Sequence, residues 1–204
     1  VDTSPLLAML ARFEHAFGAP LPEAGRLAAA VRVRALRHRE AAFEAGELCS
    51  HVFAVRSGIL KQVYFGADGS ERIKSFAAPG DLFGCPFALT EGGRTSFASI
   101  SIGSAVVESI DFRLVEALAE QHPAWQAAVG LAFRRLAEIK VVRERDLLML
   151  SPAELYLKFA QERPELAAAV PQKDLAGYLG VTPVGLNRIL RRLRDTPAPS
   201  PCGQ

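Results

Sequence analysis

Cysteine, tryptophan and methionine are scarce in this chain of 204 residues, which holds three, one and two of them. Cys49, Cys85 and Cys202 are odd in number and far apart, which excludes a disulfide framework and any CxxC metal or redox motif. No His-x-His pair occurs, so the ligand cluster of a cupin-type metalloenzyme is missing and no metal site is expected. Charge of one sign is lacking too: 24 Lys and Arg face 22 Asp and Glu, a net +2, which argues against a wholly basic nucleic-acid coat or a polybasic membrane binder. No stretch approaches the roughly 18 uninterrupted apolar residues of a membrane span. The opening VDTSPLLAMLARFEHAF is broken by Asp2, Arg12 and Glu14 and has no signal-like basic start. With 50% hydrophobic and 23% charged residues the chain is too apolar for disorder, and a folded, cytoplasmic protein without membrane partners is expected.

What is present changes hydrophobic period twice, near Val31 and near Asp111. Before Val31, Ser4-Pro5 caps an amphipathic helix with Leu6, Leu10, Phe13 and Phe17 on or near one face, and a second short helix spans 23–30. From 31 to 110, short β-rich runs (VRVRAL, HVFAVR, ILKQVYF, RIKSFA, TSFASISI, AVVESI) alternate with turns at 44–47, 57–58, 67–70, 78–81 and Glu91-Gly92-Gly93. That spacing predicts a β-roll. From Asp111 onward the chain reads helical. Asp111 caps FRLVEALAEQ, and His122-Pro123 opens a long helix that no Gly or Pro interrupts over 131–150. Its apolar stripe, Trp125, Val129, Phe133, Leu136, Ile139, Val142 and Leu147, requires a partner: either the chain's own β-roll or the same helix of a second copy. Ser151-Pro-Ala-Glu154 is a capping box that starts a new helix and makes a natural hinge.

Residues 172–191, QKDLAGYLGVTPVGLNRILR, fit a helix-turn-helix register position by position. Ala176 is the small residue at the helix crossing, and Gly180 stands where the turn needs positive φ. Leu175, Leu179, Leu186 and Ile189 hold the two helices together, and Thr182-Pro183 caps and starts the second. Its outer face then offers Thr182, Val184, Gly185, Asn187, Arg188, Arg191 and Arg192, with Lys173 on the first helix. Arg reads guanine and Asn reads adenine by paired hydrogen bonds, a small apolar side chain meets a thymine methyl, and helix-end arginines reach phosphates, so double-stranded DNA is the expected partner. Residues 172–194 carry five basic side chains against Asp174 alone, so the near-neutral total conceals a basic reader on a slightly acidic remainder.

The order of these parts resembles the CRP/FNR family of bacterial transcription regulators, over about 31–194. The likeness is carried by HVFAVRSGILKQVYF, by PGDLFG at 79–84, by the helix from His122-Pro123 and by QKDLAGYLGVTPVGLNRILRRL. It implies an α+β fold: an N-terminal β-roll (a double-stranded β-helix, jelly-roll-like), a long dimerisation helix and a C-terminal helix-turn-helix domain, divided at 1–121, 122–150 and 151–204. It also implies a homodimer whose rolls sense an effector and whose recognition helices enter successive major grooves of a palindromic site. An activator would in addition need a surface for RNA polymerase, and no stretch identifies one.

By the same resemblance the effector site would involve Phe83, Gly84, Cys85, Arg94, Thr95 and Ser96. Cyclic-nucleotide-binding members carry Glu where this chain has Cys85, and their phosphate-binding Arg falls on Thr95, with Arg94 one place early. The long helix has no Ser or Thr over 131–150 to contact a base, so cyclic AMP is not the expected effector. Clustered cysteines for an iron–sulfur sensor are missing, and His15, His38, His51 and His122 are too scattered to suggest haem. No cofactor is assigned. Either another small molecule binds, or Phe83, Phe87 and Phe97 fill the site. Cys85 is a redox sensor or a buried inert thiol. The recognition helix departs from the best-known members at Pro183 and Val184, and the Pro-rich residues after Arg194 do not read as a β-hairpin wing. The alternative reading is therefore a cyclic-nucleotide-binding-like sensor or interaction module without DNA binding.

Overall fold

Residues 4–90 and 92–195 are described by a computed structural model. Expectations that fall on Asp2, Glu91, Cys202 and the Pro-rich tail at 196–204 lie outside the described residues. The elements run α1 (Pro5–Phe17), α2 (Ala24–Ala30), β1 (Arg32–Leu36), β2 (Ala41–Phe43), β3 (His51–Ser57), β4 (Leu60–Phe65), β5 (Glu71–Ala77), β6 (Leu82–Phe83), a 3-10 turn (Pro86–Leu89), β7 (Ala98–Ser101), β8 (Ala105–Asp111), α3 (Phe112–Gln121), α4 (Pro123–Met149), α5 (Pro152–Glu162), α6 (Pro164–Ala169), α7 (Gln172–Leu179) and α8 (Pro183–Asp195). Six of the eight strands fall on the six expected runs. β2 and β6, at three and two residues, are too short to show alternation. The contacts divide the chain into two units, one ending at Lys140 and the other starting at Val141, inside α4.

In the first unit the strands form two antiparallel four-stranded sheets, ordered β1-β8-β3-β6 and β2-β7-β4-β5. This is a jelly-roll-like β-roll. Between the sheets Phe43 is the hub of an aromatic cluster, with ring centroids 5.5 Å from Phe53, 5.5 Å from Phe97 and 6.3 Å from Phe83. Leu36, Val55, Leu60 and Val107 complete this core, each buried side chain contributing roughly 2 kcal/mol of transfer free energy. Phe83 and Phe97 both join this core. Phe87 does not, since the 3-10 turn carries it outward and leaves it 71% exposed. Gly58, in the β3–β4 turn, has φ +80, and a Cβ there would lie 2.4 Å from the Ser104 carbonyl, so only glycine fits.

A second core lies under the first helices, where Leu6, Leu10, Phe13 and Leu27 pack with Ile110, Phe112, Leu118, Trp125 and Ala128. Phe17, one turn past Phe13, is 40% exposed; the helix ends there, at Gly18 in the left-handed conformation, and the stripe runs off the core. The start of α1 is fixed electrostatically. The Glu108 carboxylate, wholly buried on β8, accepts from Ser4 Oγ (2.6 Å), Leu6 N (3.0 Å) and Arg56 Nε (2.5 Å), so it faces both a guanidinium and a helix N-terminus. Three residues farther along β8, Asp111 caps α3, accepting from Arg113 N at 3.1 Å and from Ser50 Oγ at 2.9 Å.

α4 changes character along its length. Trp125 and Ala128 are buried in the second core, and Trp125 Nε1 donates to the Pro22 carbonyl at 2.7 Å. Farther on, Ile139 is 63% exposed, and Val142, Leu147, Leu148 and Met149 are exposed as well. Part of the stripe therefore packs on its own β-roll unit, and the rest is uncovered. Among the described residues no helix is long and apolar enough to cross a membrane.

Candidate nucleic-acid interface and effector chamber

In the second unit, the end of α4 is tied to the helices that follow. Asp146 accepts from Lys158 Nζ of α5 and from Arg145 Nη2 (3.0 Å), and these two cations hold its carboxyl below the usual range. Ser151 and Glu154 form the expected capping box, so α5 begins at Pro152. Phe159 of α5 packs on Tyr178 of α7 with centroids 5.1 Å apart.

α7 and α8 form the helix-turn-helix through the residues that the sequence singled out. Ala176 and Leu186 are completely buried, Leu175 and Leu179 nearly so, and Ile189 is half-buried at the rim. Gly180 takes φ +73 as the left-handed cap of α7, with open space around its would-be Cβ, so conformation rather than crowding demands glycine. Thr182 Oγ1 accepts from Gly185 N at 3.1 Å and caps α8, where Pro183 is the first residue.

The polar side of α8 is presented as expected. Thr182, Val184, Asn187, Arg188, Arg191 and Arg192 are exposed, as is Lys173 on α7, and Val184 is 61% exposed despite being apolar. Gly185 is intermediate, facing Thr182 and Val181. Leu186 is the fully buried side chain of α8, with Ile189, Leu190 and Leu193 half-buried beside it, and the opposite side is exposed, as a groove-entering helix requires.

The effector residues are brought together only in part. Cys85 is 1% exposed, with its sulfur 3.5 Å from Ser96 Oγ and 3.3 Å from Ser96 N. Gly84 runs close to the His51 carbonyl, and Phe83 lies in the core. Thr95 is buried with its hydroxyl donating to the Glu44 carbonyl and accepting from Glu47 N at 3.0 Å, so it fastens the Glu44–Glu47 turn. Arg94 is exposed and donates to the Gly46 carbonyl at 2.8 Å. The two neighbours thus face apart, as adjacent residues of an extended segment do. Among the described residues no group of acidic, His and Cys side chains could hold a metal ion. Sequence reasoning passed over Gln62, which pairs across the sheet with Ser75 and Ser99 and whose Oε1 accepts from Lys74 Nζ and Ser75 Oγ. Read from Leu60, alternation alone places Gln62 inward, and that was the available signal.

The comparisons agree with this architecture. The cyclic nucleotide-binding domain family matches residues 33–122, the β-roll and α3. The anaerobic regulatory protein of Haemophilus influenzae is 25% identical over 80% of this chain and 67% of its own length. The fumarate and nitrate reduction regulatory protein of Escherichia coli is 25% identical over 81% of this chain and 70% of its own. The chain thus spans about two thirds of the length of these relatives. Among solved structures, FixK2 from Bradyrhizobium japonicum superposes with a TM-score of 0.69 at 20% identity, covering 85% of this chain and 89% of that one. The c-di-GMP-responsive regulator CLP of Xanthomonas campestris gives 0.66 at 16% identity, covering 84% and 90%. A roll of the cyclic nucleotide-binding domain family, a long helix and a helix-turn-helix, in the order of these regulators, support a CRP/FNR family transcription regulator.

Proposed function

We propose that the protein acts in the cytoplasm as a homodimer that binds a palindromic double-stranded DNA site through α8 and responds to an effector other than cyclic AMP. The observation that carries this reading is the helix-turn-helix itself: closed by Ala176, Gly180 and Leu186, capped by Thr182, and solvent-exposed on its basic side. Arg188 and Asn187 read base edges. Arg191, Arg192 and Lys173 reach phosphates, while Thr182, Val184 and Gly185 let the start of α8 approach closely. The domains follow as 1–121 for sensing, 122–150 for dimerisation and 151–204 for DNA.

Dimerisation is supported by Ile139, Val142 and Met149, spaced three and seven along α4 and all exposed, the positions of a two-helix seam. A dimer would place two readers on one duplex, which matters because a single reader with a handful of positive charges holds DNA weakly. The effector enters beside Cys85 and Ser96, with Phe83 and Gly84 behind them and Arg94 and Thr95 at the rim. RNA polymerase is a further partner if the protein activates transcription. Selection from a random duplex pool tests the reading: two inverted half-sites about one helical turn apart are expected. Recovery of a single half-site, or of no sequence, contradicts it. The second outcome favours the alternative of a sensor or interaction module that does not bind DNA.

A further inference from the structure

Outside the roll, at the rim of the second core, a cleft of about 280 Å³ opens between three elements of the first unit. Leu89 of the 3-10 turn and Thr90 beyond it line one side, Phe112 and Glu116 of α3 a second, and Val129 and Phe133 of α4 the third. Phe112 is buried in the second core, and Leu89 and Val129 are partly buried against it. The lining shares no residue with the core between the sheets, so the cleft is distinct from the chamber beside Cys85.

The chemistry of this lining is one-sided. Phe133 meets Phe112 edge-on, with centroids 6.1 Å apart and planes at 85°, and stays exposed, so an aromatic ring forms part of the open wall. Thr90 Oγ1 donates its proton to the Phe87 carbonyl at 2.8 Å and has only lone pairs left to offer. Glu116 is exposed and is the one ionisable residue of the lining, and among the described residues no cation pairs with it. A carboxylate, a hydroxyl oxygen and an aromatic ring all attract positive charge, and no side chain of the lining has a free proton to donate.

We propose that this cleft binds a small organic cation, an ammonium group carried on a single apolar ring. The ring enters among Leu89, Phe112 and Val129, and the ammonium stays at the mouth, where Glu116 and Thr90 Oγ1 accept its hydrogen bonds and Phe133 offers its ring. Sites that bury drug-sized ligands run to roughly 300–1,000 Å³, so a cleft of this volume admits one ring and a short chain. An anion of the same size meets a carboxylate and no donor, which excludes it. An arginine of a second copy would satisfy the same acceptors, and the oligomeric state distinguishes that occupant.

Heteronuclear NMR titration of the full chain with phenethylammonium tests the proposal. Phenylacetate and phenethyl alcohol serve as comparisons with a similar ring but negative and no charge. The variants are Glu116→Gln, at an exposed position, and Ala119→Leu, whose larger side chain would occupy the cleft. Saturable shifts at the amides of Thr90, Glu116 and Ala119 are expected with the ammonium and not with phenylacetate. Glu116→Gln should weaken the affinity about threefold, as befits an exposed ion pair, and Ala119→Leu should abolish binding. Unfolding temperatures verify that both variants fold. Absence of saturable shifts, equal binding of phenethyl alcohol, or binding indifferent to both substitutions overturns the proposal. So does a ligand-induced fall in oligomeric state, read by sedimentation, which would assign the cleft to a second copy. The titration involves no DNA, so its outcome is independent of the reading proposed for α8.

Discussion

The Arg143 guanidinium lies 3.8 Å from the centre of the Tyr178 ring and donates to the Tyr178 carbonyl at 2.5 Å. One side chain thus fastens the last turns of α4 to the first helix of the reader, by a charge–ring contact and a charged hydrogen bond. Arg143→Ala removes both and should destabilise the second unit by about 2 kcal/mol. Lys at this position keeps the charge but not the planar fork, and should recover less than half. Thermal unfolding of the full chain checks this, with an earlier transition expected for the Ala variant.

Glu108 makes the corresponding prediction in the first unit. Its carboxylate is wholly buried and holds Ser4, Leu6 N and Arg56, so Glu108→Ala removes three hydrogen bonds, two of them at the start of α1. A loss of about 3 kcal/mol is expected. In hydrogen exchange, the amides of α1 should lose protection before those of the roll.

Asp111 should shape the acid limb of the stability profile. Hydrogen bonds from Arg113 and Ser50 lower its pKa to about 2. A carboxyl whose folded pKa lies below its unfolded value gives stability that is present above about pH 4 and lost as pH falls toward 2. Its side chain is 34% exposed, so screening leaves about 1 kcal/mol of this. Asp111→Asn should flatten the acid limb of the stability profile between those values, and an unchanged limb would show that another group governs it.

Gly185 separates stability from reading. An alanine Cβ there would lie 3.3 Å from Thr182 Oγ1, so the cap must yield by a few tenths of an ångström while the helix gains roughly 1 kcal/mol of propensity. The two effects oppose each other, and the unfolding temperature of Gly185→Ala should stay near that of the native chain. DNA affinity should fall about tenfold if the bare backbone is what allows α8 to approach. Unchanged affinity would mean that glycine is merely tolerated at this position.

Most of the reader was legible because local rules dictate it: a small residue at a crossing, a left-handed turn and a hydroxyl cap are each the work of one residue type. Ala176, Gly180 and Thr182 all stand where those rules place them. The chamber was less legible. Phe87 is carried outward by a 3-10 turn that no periodicity announces, and Thr95 is engaged by a loop some fifty positions earlier in the chain. Lys74 escaped notice because its inward direction depends on a register shift between two strands, which no single strand's pattern contains. The stripe of α4 left two partners open, and the structure divides it: Trp125 and Ala128 are buried within the first unit, whereas Ile139 and Met149 are exposed.

The central claim, sequence-specific reading of DNA by α8, is tested most directly by comparing the native chain and Arg188→Ala on a selected site and on random duplex over a range of salt. Native binding should weaken steeply with salt on both, and the substitution should cost about 1–3 kcal/mol on the selected site while leaving random duplex nearly unaffected. No DNA binding even at low salt, or equal losses on both duplexes, would contradict the account.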